Sequence, residues 1–256
     1  MSGSWNAIVL AGSRGTEDPV ARAAGVPVKA LASLAGRPMI SHLLDTLAAA
    51  PQIGTITIMI EANAPPLAPM PHCARRIDAA PTPATSVLDA ALSTAHPLLI
   101  TTADNPLLNQ QILDEFISGA EAGACDIAAG LCPRAQVEKA QNPGRRTYLK
   151  FRDGAYSGCN LFAVRTGQAT GAIRFWQDVE ADRKHPWRIA RKIGLWPLAL
   201  YAIGQLSRRQ LEDTLGRRTG CRARLIDIHH PLAAHDVDKV SDLEFAEWVL
   251  NNQRDP

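Results

Sequence analysis

The residues with the most evident chemistry lie at the amino terminus. Ala7-Ile8-Val9-Leu10-Ala11-Gly12-Ser13-Arg14-Gly15 is followed by Lys29 and then by Gly36-Arg37-Pro38-Met39-Ile40. An apolar strand here ends in a turn of small residues. Glycines at 12 and 15 let backbone N–H groups approach a polyphosphate that side chains would fend off, and Arg14 and Lys29 supply positive charge. No Gly-Lys-Ser/Thr closes the turn, which argues against a P-loop, and the absence of Gly-x-Gly-x-x-Gly argues against a dinucleotide site. A second basic group, Arg145, Arg146, Lys150 and Arg152, stands in an otherwise balanced chain. Lys150 and Arg152, two apart on a strand, point to one face, which suits an acceptor phosphate or a solvated surface.

These groups must be positioned by the elements around them. Strand-length apolar segments alternate with helix-length amphipathic ones: Asn6 to Leu10, Pro38 to Ala50, Thr55 to Ile60, Thr85 to Ala95 and Leu98 to Thr102. Such alternation predicts strands joined by crossover helices, a mostly parallel sheet covered on both faces. Ligands of such sheets collect at the carboxyl ends of the strands, where Gly12 and Asp104 both fall. Ala64 to Pro71, rich in proline and alanine, reads as a surface connection. Thr147 to Phe151 and Tyr156 to Val164 read as strands about a tight Asp153-Gly154 turn. Gly167 to Gly220 is helical in pattern, Arg222 to Ile228 is a last strand, and Asp242 to Asn251 is a closing helix. With no internal repeat or low-complexity tract, one domain over 1–256 with a helical insertion at about 167–220 is expected.

The 256 residues, 46% hydrophobic, suffice for a substantial core. A net charge of +2 argues against a nucleic-acid-binding surface of the usual strongly basic kind. Cys73, Cys125, Cys132, Cys159 and Cys221 contain no Cys-x-x-Cys pair and read as reduced thiols. With no basic and apolar leader at the N-terminus, a cytoplasmic enzyme is expected. The apolar run Ile193 to Gly204 is too short to span a bilayer. Its basic flanks, Arg188, Arg191, Lys192, Arg208 and Arg209, leave three readings open: contact with an anionic membrane surface, a core helix, or a homodimer helix. His229, His230 and His235 match no zinc spacing and read as loop residues.

The Leu10-Ala11-Gly12 turn, the arginine, Lys29 and the Gly36-Arg37-Pro38-Met39-Ile40 run resemble the nucleoside-triphosphate transferase superfamily, most of all its molybdenum-cofactor guanylyl- and cytidylyltransferase branch. The resemblance implies that Leu10, Ala11, Gly12, Ser13 and Gly15 bind nucleotide and that Arg14 and Lys29 meet the triphosphate. Fourteen residues separate Arg14 from Lys29, more than the family usually places there. The segment Gly15 to Val28 is either an enlarged flap, or Arg22 takes the arginine's role. Leu99-Ile100-Thr101-Thr102-Ala103-Asp104 matches the strand that delivers a Mg²⁺-binding aspartate, a hard oxygen ligand of the kind that ion prefers, although Asp104 could also cap the following helix. Asp236-Val237-Asp238-Lys239-Val240-Ser241-Asp242-Leu243 resembles the segment that supplies the second metal ligand, Asp238 by residue match and Asp236 in reserve. Thr85 and Ser86 match the segment that contacts the base, or else begin a helix. Gly158 and Asn160 in Ser157-Gly158-Cys159-Asn160 match a Gly-x-Asn element that faces the acceptor.

The resemblance thus implies a three-layer α/β/α sandwich of the nucleotide-diphospho-sugar transferase (glycosyltransferase-A-like) kind. It implies a Mg²⁺- or Mn²⁺-dependent nucleotidyltransferase that moves NMP from an NTP, GTP or CTP above all, to a sugar-phosphate, phospho-alcohol or molybdopterin-like acceptor, releasing pyrophosphate. A nucleotide-sugar glycosyltransferase and a non-catalytic nucleotide-binding module are the alternatives. Asp104-Asn105-Pro106 lacks the second aspartate that a glycosyltransferase strand end carries.

Overall fold

The computed structural model describes residues 4–12, 18–67, 69–140, 146–182 and 186–252, without the side chains of 186, 187, 189 and 190. Its strands are β1 (Trp5–Leu10), β2 (Ser33–Leu34), β3 (Arg37–Pro38), β4 (Ile53–Ile60), β5 (Ala74–Asp78), β6 (Leu98–Thr102), β7 (Ile127–Pro133), β8 (Leu149–Phe151), β9 (Gly154–Val164) and β10 (Ala223–Asp227). Its helices are α1 (Pro19–Ala23), α2 (Met39–Ala49), α3 (Pro83–Ser93), α4 (Gln110–Ala122), α5 (Arg134–Val137), α6 (Thr170–Ala181), α7 (Pro186–Ile193), α8 (Leu195–Ala202), α9 (Arg208–Thr219) and α10 (Val240–Asn252).

The main sheet runs β10-β7-β9-β6-β1-β4-β5, with β8 added alongside β9. β1, β4, β5 and β6 are mutually parallel, as are β7 and β10, and β9 lies antiparallel between β6 and β7. Ala7, Ile8 and Val9 are fully buried in succession, as a parallel strand covered on both faces requires. Alternation along β1 assigns the two faces. Ala7 and Val9 share a core with Ile40, Leu43 and Leu47 of α2 and with Ile112 and Phe116 of α4. Ile8 packs instead with Val87 and Ala91 of α3 and Ile173 of α6. Each of these large side chains contributes roughly 1.5–3 kcal/mol by leaving water. The fold is the expected α/β sandwich with a mostly parallel sheet.

Register brings the central strand ends to one level. Leu10 pairs with Met59 and with Thr102. Beyond them Ala11 N–H donates to Met59 O at 2.8 Å, and Ala103 N–H to Leu10 O at 2.9 Å. Gly12, Glu61 and Asp104 therefore emerge at the same edge.

The structure adjusts several expected elements. The connection from Ala64 leads into β5, whose sequence Ala-Arg-Arg-Ile-Asp carries too much charge to read as a strand; at the sheet edge one side stays in water. β8 ends at Phe151, so Arg152 is in the turn, where its N–H donates to Leu206 O, and it does not share a strand face with Lys150. The closing helix begins at Val240, earlier than Asp242, because the Asp242 carboxylate accepts the Asp238 and Lys239 N–H groups from inside the first turn. The segment before Lys29 carries α1, capped by Asp18 and anchored by fully buried Val20 against Ala246 and Val249 of α10. Between β9 and β10 lie α6 to α9. All five cysteines are free.

Candidate active site

Asp104 sits just past β6, its side chain only 17% exposed. Its Oδ2 accepts Lys29 Nζ at 2.7 Å, and its Oδ1 is buried with no hydrogen-bond partner among the described residues. A buried carboxylate oxygen without a donor is costly, so this atom is poised for a cation or a donor brought by a ligand. Its backbone carbonyl accepts Val237 N–H at 2.8 Å. That bond carries the segment 236–238 to the end of β6.

Lys29 opens a single 3-10 turn, Lys29–Leu31, after extended Val28. Its ammonium lies between carboxylates: Asp104 at 2.7 Å, Asp238 Oδ1 at 3.2 Å and Asp18 Oδ2 at 4.0 Å. Burial works against the charge, but the Asp104 and Asp238 carboxylates outweigh it and hold the lysine above its usual pKa.

The two candidate second ligands differ in engagement. Asp236 Oδ1 accepts Arg146 Nη1 at 2.9 Å, and Oδ2 accepts Asn160 Nδ2 at 3.1 Å. Burial first, then the carboxylates of Asp238 and Asp104, raise its pKa despite Arg146. The Asp238 side chain is 64% exposed, and its Oδ1 accepts from Lys29 Nζ. Arg146 spans Asp236 and Asp242 with its side chain 7% exposed. It therefore belongs to the carboxylate cluster, not to a solvent-facing basic patch with Lys150 and Arg152, both of which are exposed.

Asn160 reaches Asp236 because β9 is irregular there. Ala129 of β7 pairs with Phe162, yet Leu131, two residues on, pairs with Gly158, so extra residues of β9 bulge between them. Asn160 takes a φ of 50°, a left-handed conformation that asparagine tolerates better than most residues. Buried Asn105 Nδ2 donates to Cys159 O at 3.2 Å and braces the bulge. Bulges of this kind re-aim side chains beside sites. A Cβ on Gly158 would meet nothing within 4 Å, so open space adjoins the strand at that position.

Other candidates are placed differently. Leu10 is half-buried, Ala11 buried and Gly12 exposed at the strand end; Ser13, Arg14 and Gly15 lie outside the described residues. Arg22 is exposed on α1. Thr82 caps α3, with its hydroxyl in contact with that of Thr85, which also accepts from Gln177. The buried Ser86 hydroxyl accepts Ala80 N–H at 3.0 Å. His235 lies in the loop before α10, as expected, but is buried there: it is 2% exposed, its ring tilted against that of Phe245 at 5.0 Å, and burial with Arg146 nearby pushes its pKa down to about 4.

Sequence reasoning missed Asp18, Asn105 and the Arg146 bridge. Asp18 was legible as a helix cap ahead of Pro19. Nothing local marks the other two, whose roles depend on strands brought together by the sheet.

Hard oxygens from Asp104 and Asp238 suit Mg²⁺, which takes one or two carboxylates and completes its shell with phosphate oxygens and water. The buried, partnerless Asp104 Oδ1 fits that role. Among the described residues no group of three or more His, Cys, Asp or Glu is arranged to hold a metal, so a cation here would draw on its substrate for the remaining oxygens.

Residues 7–236 match the MobA-like NTP transferase domain, and the chain belongs to that family of nucleotidyltransferases. Among solved structures, a hypothetical transferase from Thermus thermophilus is 28% identical with a TM-score of 0.80, covering 94% of this chain and 99% of that one. A CMP:2-keto-3-deoxy-manno-octonic acid synthetase complexed with CTP is 11% identical (TM-score 0.60, 98% and 100% covered). The 2-C-methyl-D-erythritol 4-phosphate cytidylyltransferase of Francisella tularensis is 12% identical (TM-score 0.58, 96% and 99% covered). The last two share the nucleotide-diphospho-sugar transferase fold. No curated protein sequence matches the chain.

Proposed function

We propose that the enzyme transfers NMP from an NTP, GTP or CTP, to a phosphorylated small molecule, with Asp104 and Asp238 holding Mg²⁺ (or Mn²⁺). The observation that carries this reading is the Asp104–Lys29–Asp238 cluster at the carboxyl edge, with one Asp104 oxygen left without a donor. Asp236, tied on both oxygens, serves to position Asn160 and Arg146. When bound, the metal supplies charge neutralisation at the α-phosphate.

An oxygen of the acceptor phosphate attacks the α-phosphorus, the α–β phosphoanhydride bond breaks, and its electron pair leaves with pyrophosphate. The attacking oxygen is already anionic, so no general base is required. Gly12 offers backbone without side-chain obstruction beside the strand end, and Lys29 meets charge on the departing pyrophosphate. Asn160, beside Gly158 on the bulge, orients the acceptor. Positioning and electrostatics then account for most of the acceleration.

The test is thermal-shift screening of the four NTPs with Mg²⁺, followed by pyrophosphate release against a panel of sugar-phosphates, phospho-alcohols and a molybdopterin-like acceptor. Stabilisation by GTP or CTP and acceptor-dependent pyrophosphate support the reading. Hydrolysis of nucleotide-sugars with no pyrophosphate from any NTP overturns it in favour of glycosyl transfer.

A further inference from the structure

Helix α8 is apolar on every side. Leu200 and Tyr201 face inward onto Phe151, Tyr156 and Leu206. Leu195, Trp196, Ala199 and Ala202 are exposed, as is Ile203 just past the helix end. At about 100° per residue these five positions fall on one stripe roughly 120° wide. Leu195 and Trp196 are each 73% exposed and Ile203 is 68% exposed. A surface helix ordinarily turns polar residues outward, so this stripe calls for a cover.

The surroundings specify its chemistry. Residues 186–220 contain seven Lys/Arg and two acidic residues, which leaves the rest of a +2 chain net negative. Arg188, Arg191, Arg217 and Arg218 are exposed on α7 and α9, the two helices that pack against α8, and the Arg218 guanidinium lies beside Gly194 at the α7–α8 turn. Asp182 pairs with Arg188 and Lys192 but offsets only part of this charge.

We propose that α8 and its basic flanks seat the enzyme on the surface of an anionic bilayer, with Leu195, Trp196 and Ile203 entering the headgroup boundary. Arginine and lysine stems can lie along such a boundary with their charges toward lipid phosphates. A second copy is the poorer occupant, because two such faces would oppose like charges. Five side chains also fall short of the about 20–30 residues a side of a specific protein interface. Phe151 joins α8 to the β8–β9 hairpin that carries Lys150, so seating would hold that hairpin beside the headgroups.

Co-sedimentation of the full chain with vesicles tests this. Binding is expected to phosphatidylcholine vesicles containing phosphatidylglycerol, far less to phosphatidylcholine alone, and to weaken as salt rises. Leu195→Glu and Trp196→Glu should each weaken it about tenfold or more. Leu92→Glu, at a 63% exposed leucine on α3, should leave it unchanged, with unaltered melting showing that each variant folds. Absence of binding to phosphatidylglycerol vesicles, or binding insensitive to Trp196→Glu, overturns the proposal. So does a dimer in light scattering that Trp196→Glu dissociates, which would assign the face to a second copy.

Discussion

Lys29 Nζ stands 2.7 Å from Asp104 Oδ2, two groups separated by 75 residues of chain. The pair joins the 3-10 turn between α1 and β2 to the end of β6, and it sets a lysine where the divalent cation of the proposed reaction would compete for the same carboxylates.

Asp104→Asn should leave the fold intact, because the amide oxygen can still accept from Lys29, while lowering kcat by on the order of a hundredfold or more. Melting temperature and pyrophosphate release at limiting Mg²⁺ check this. A variant keeping most of its activity there would remove Asp104 from the metal site.

Lys29→Ala should reduce kcat more than nucleotide affinity if its charge is matched to the transition state. With the ammonium gone from between Asp104 and Asp238, Mg²⁺ or Mn²⁺ should bind the nucleotide-free enzyme more tightly. Calorimetric titration with Mn²⁺ measures that, and an unchanged affinity would show that the lysine and the metal do not compete for these carboxylates.

Asn160→Gly and Asn160→Ala separate conformation from contact. Both delete the Asp236 bond, but only alanine is strained at a φ of 50°, by about 1 kcal/mol. Both should raise the acceptor KM more than the NTP KM, and alanine alone should show the added loss of stability in denaturant titration.

Asp126, 1% exposed, accepts the Arg222 backbone N–H and guanidinium and the Thr166 hydroxyl. The Arg222 hydrogen bond, against the opposing effect of burial, holds its pKa well below the ordinary 3.8. A depressed folded-state pKa makes this stabilisation complete above the unfolded value and lost as pH falls below about 4 toward the folded one. Asp126→Asn should cost about 2 kcal/mol at pH 7. Its unfolding free energy should also decline less than wild type's between pH 4 and 2.

The parallel framework was legible because apolar runs such as Leu98–Thr102 are uninterrupted and bounded by turn residues. Its two carboxyl-edge positions, Gly12 and Asp104, followed from those boundaries. β5 was not legible, since Arg75, Arg76 and Asp78 carry no apolar period at an edge that water can reach. The Arg146–Asp236–Asn160 network was hidden for a different reason: three residues 14 to 90 apart along the chain meet only through the bulge and the closing loop. Local pattern cannot encode such a meeting.

The irregularity in β9 also divides the molecule into regions of unequal tolerance to change. β9 pairs with β6 on one side and β7 on the other, so inserting or deleting one residue between Gly158 and Leu161 would reverse the facing of the strand beyond it. Fully buried Leu161 and Ala163 would then exchange sides with Phe162, which is 38% exposed. Length variation among relatives should therefore gather in the turn before Gly154 and in the helices after Val164, leaving Gly158 to Leu161 as a fixed gauge from which the rest of the sheet takes its alignment.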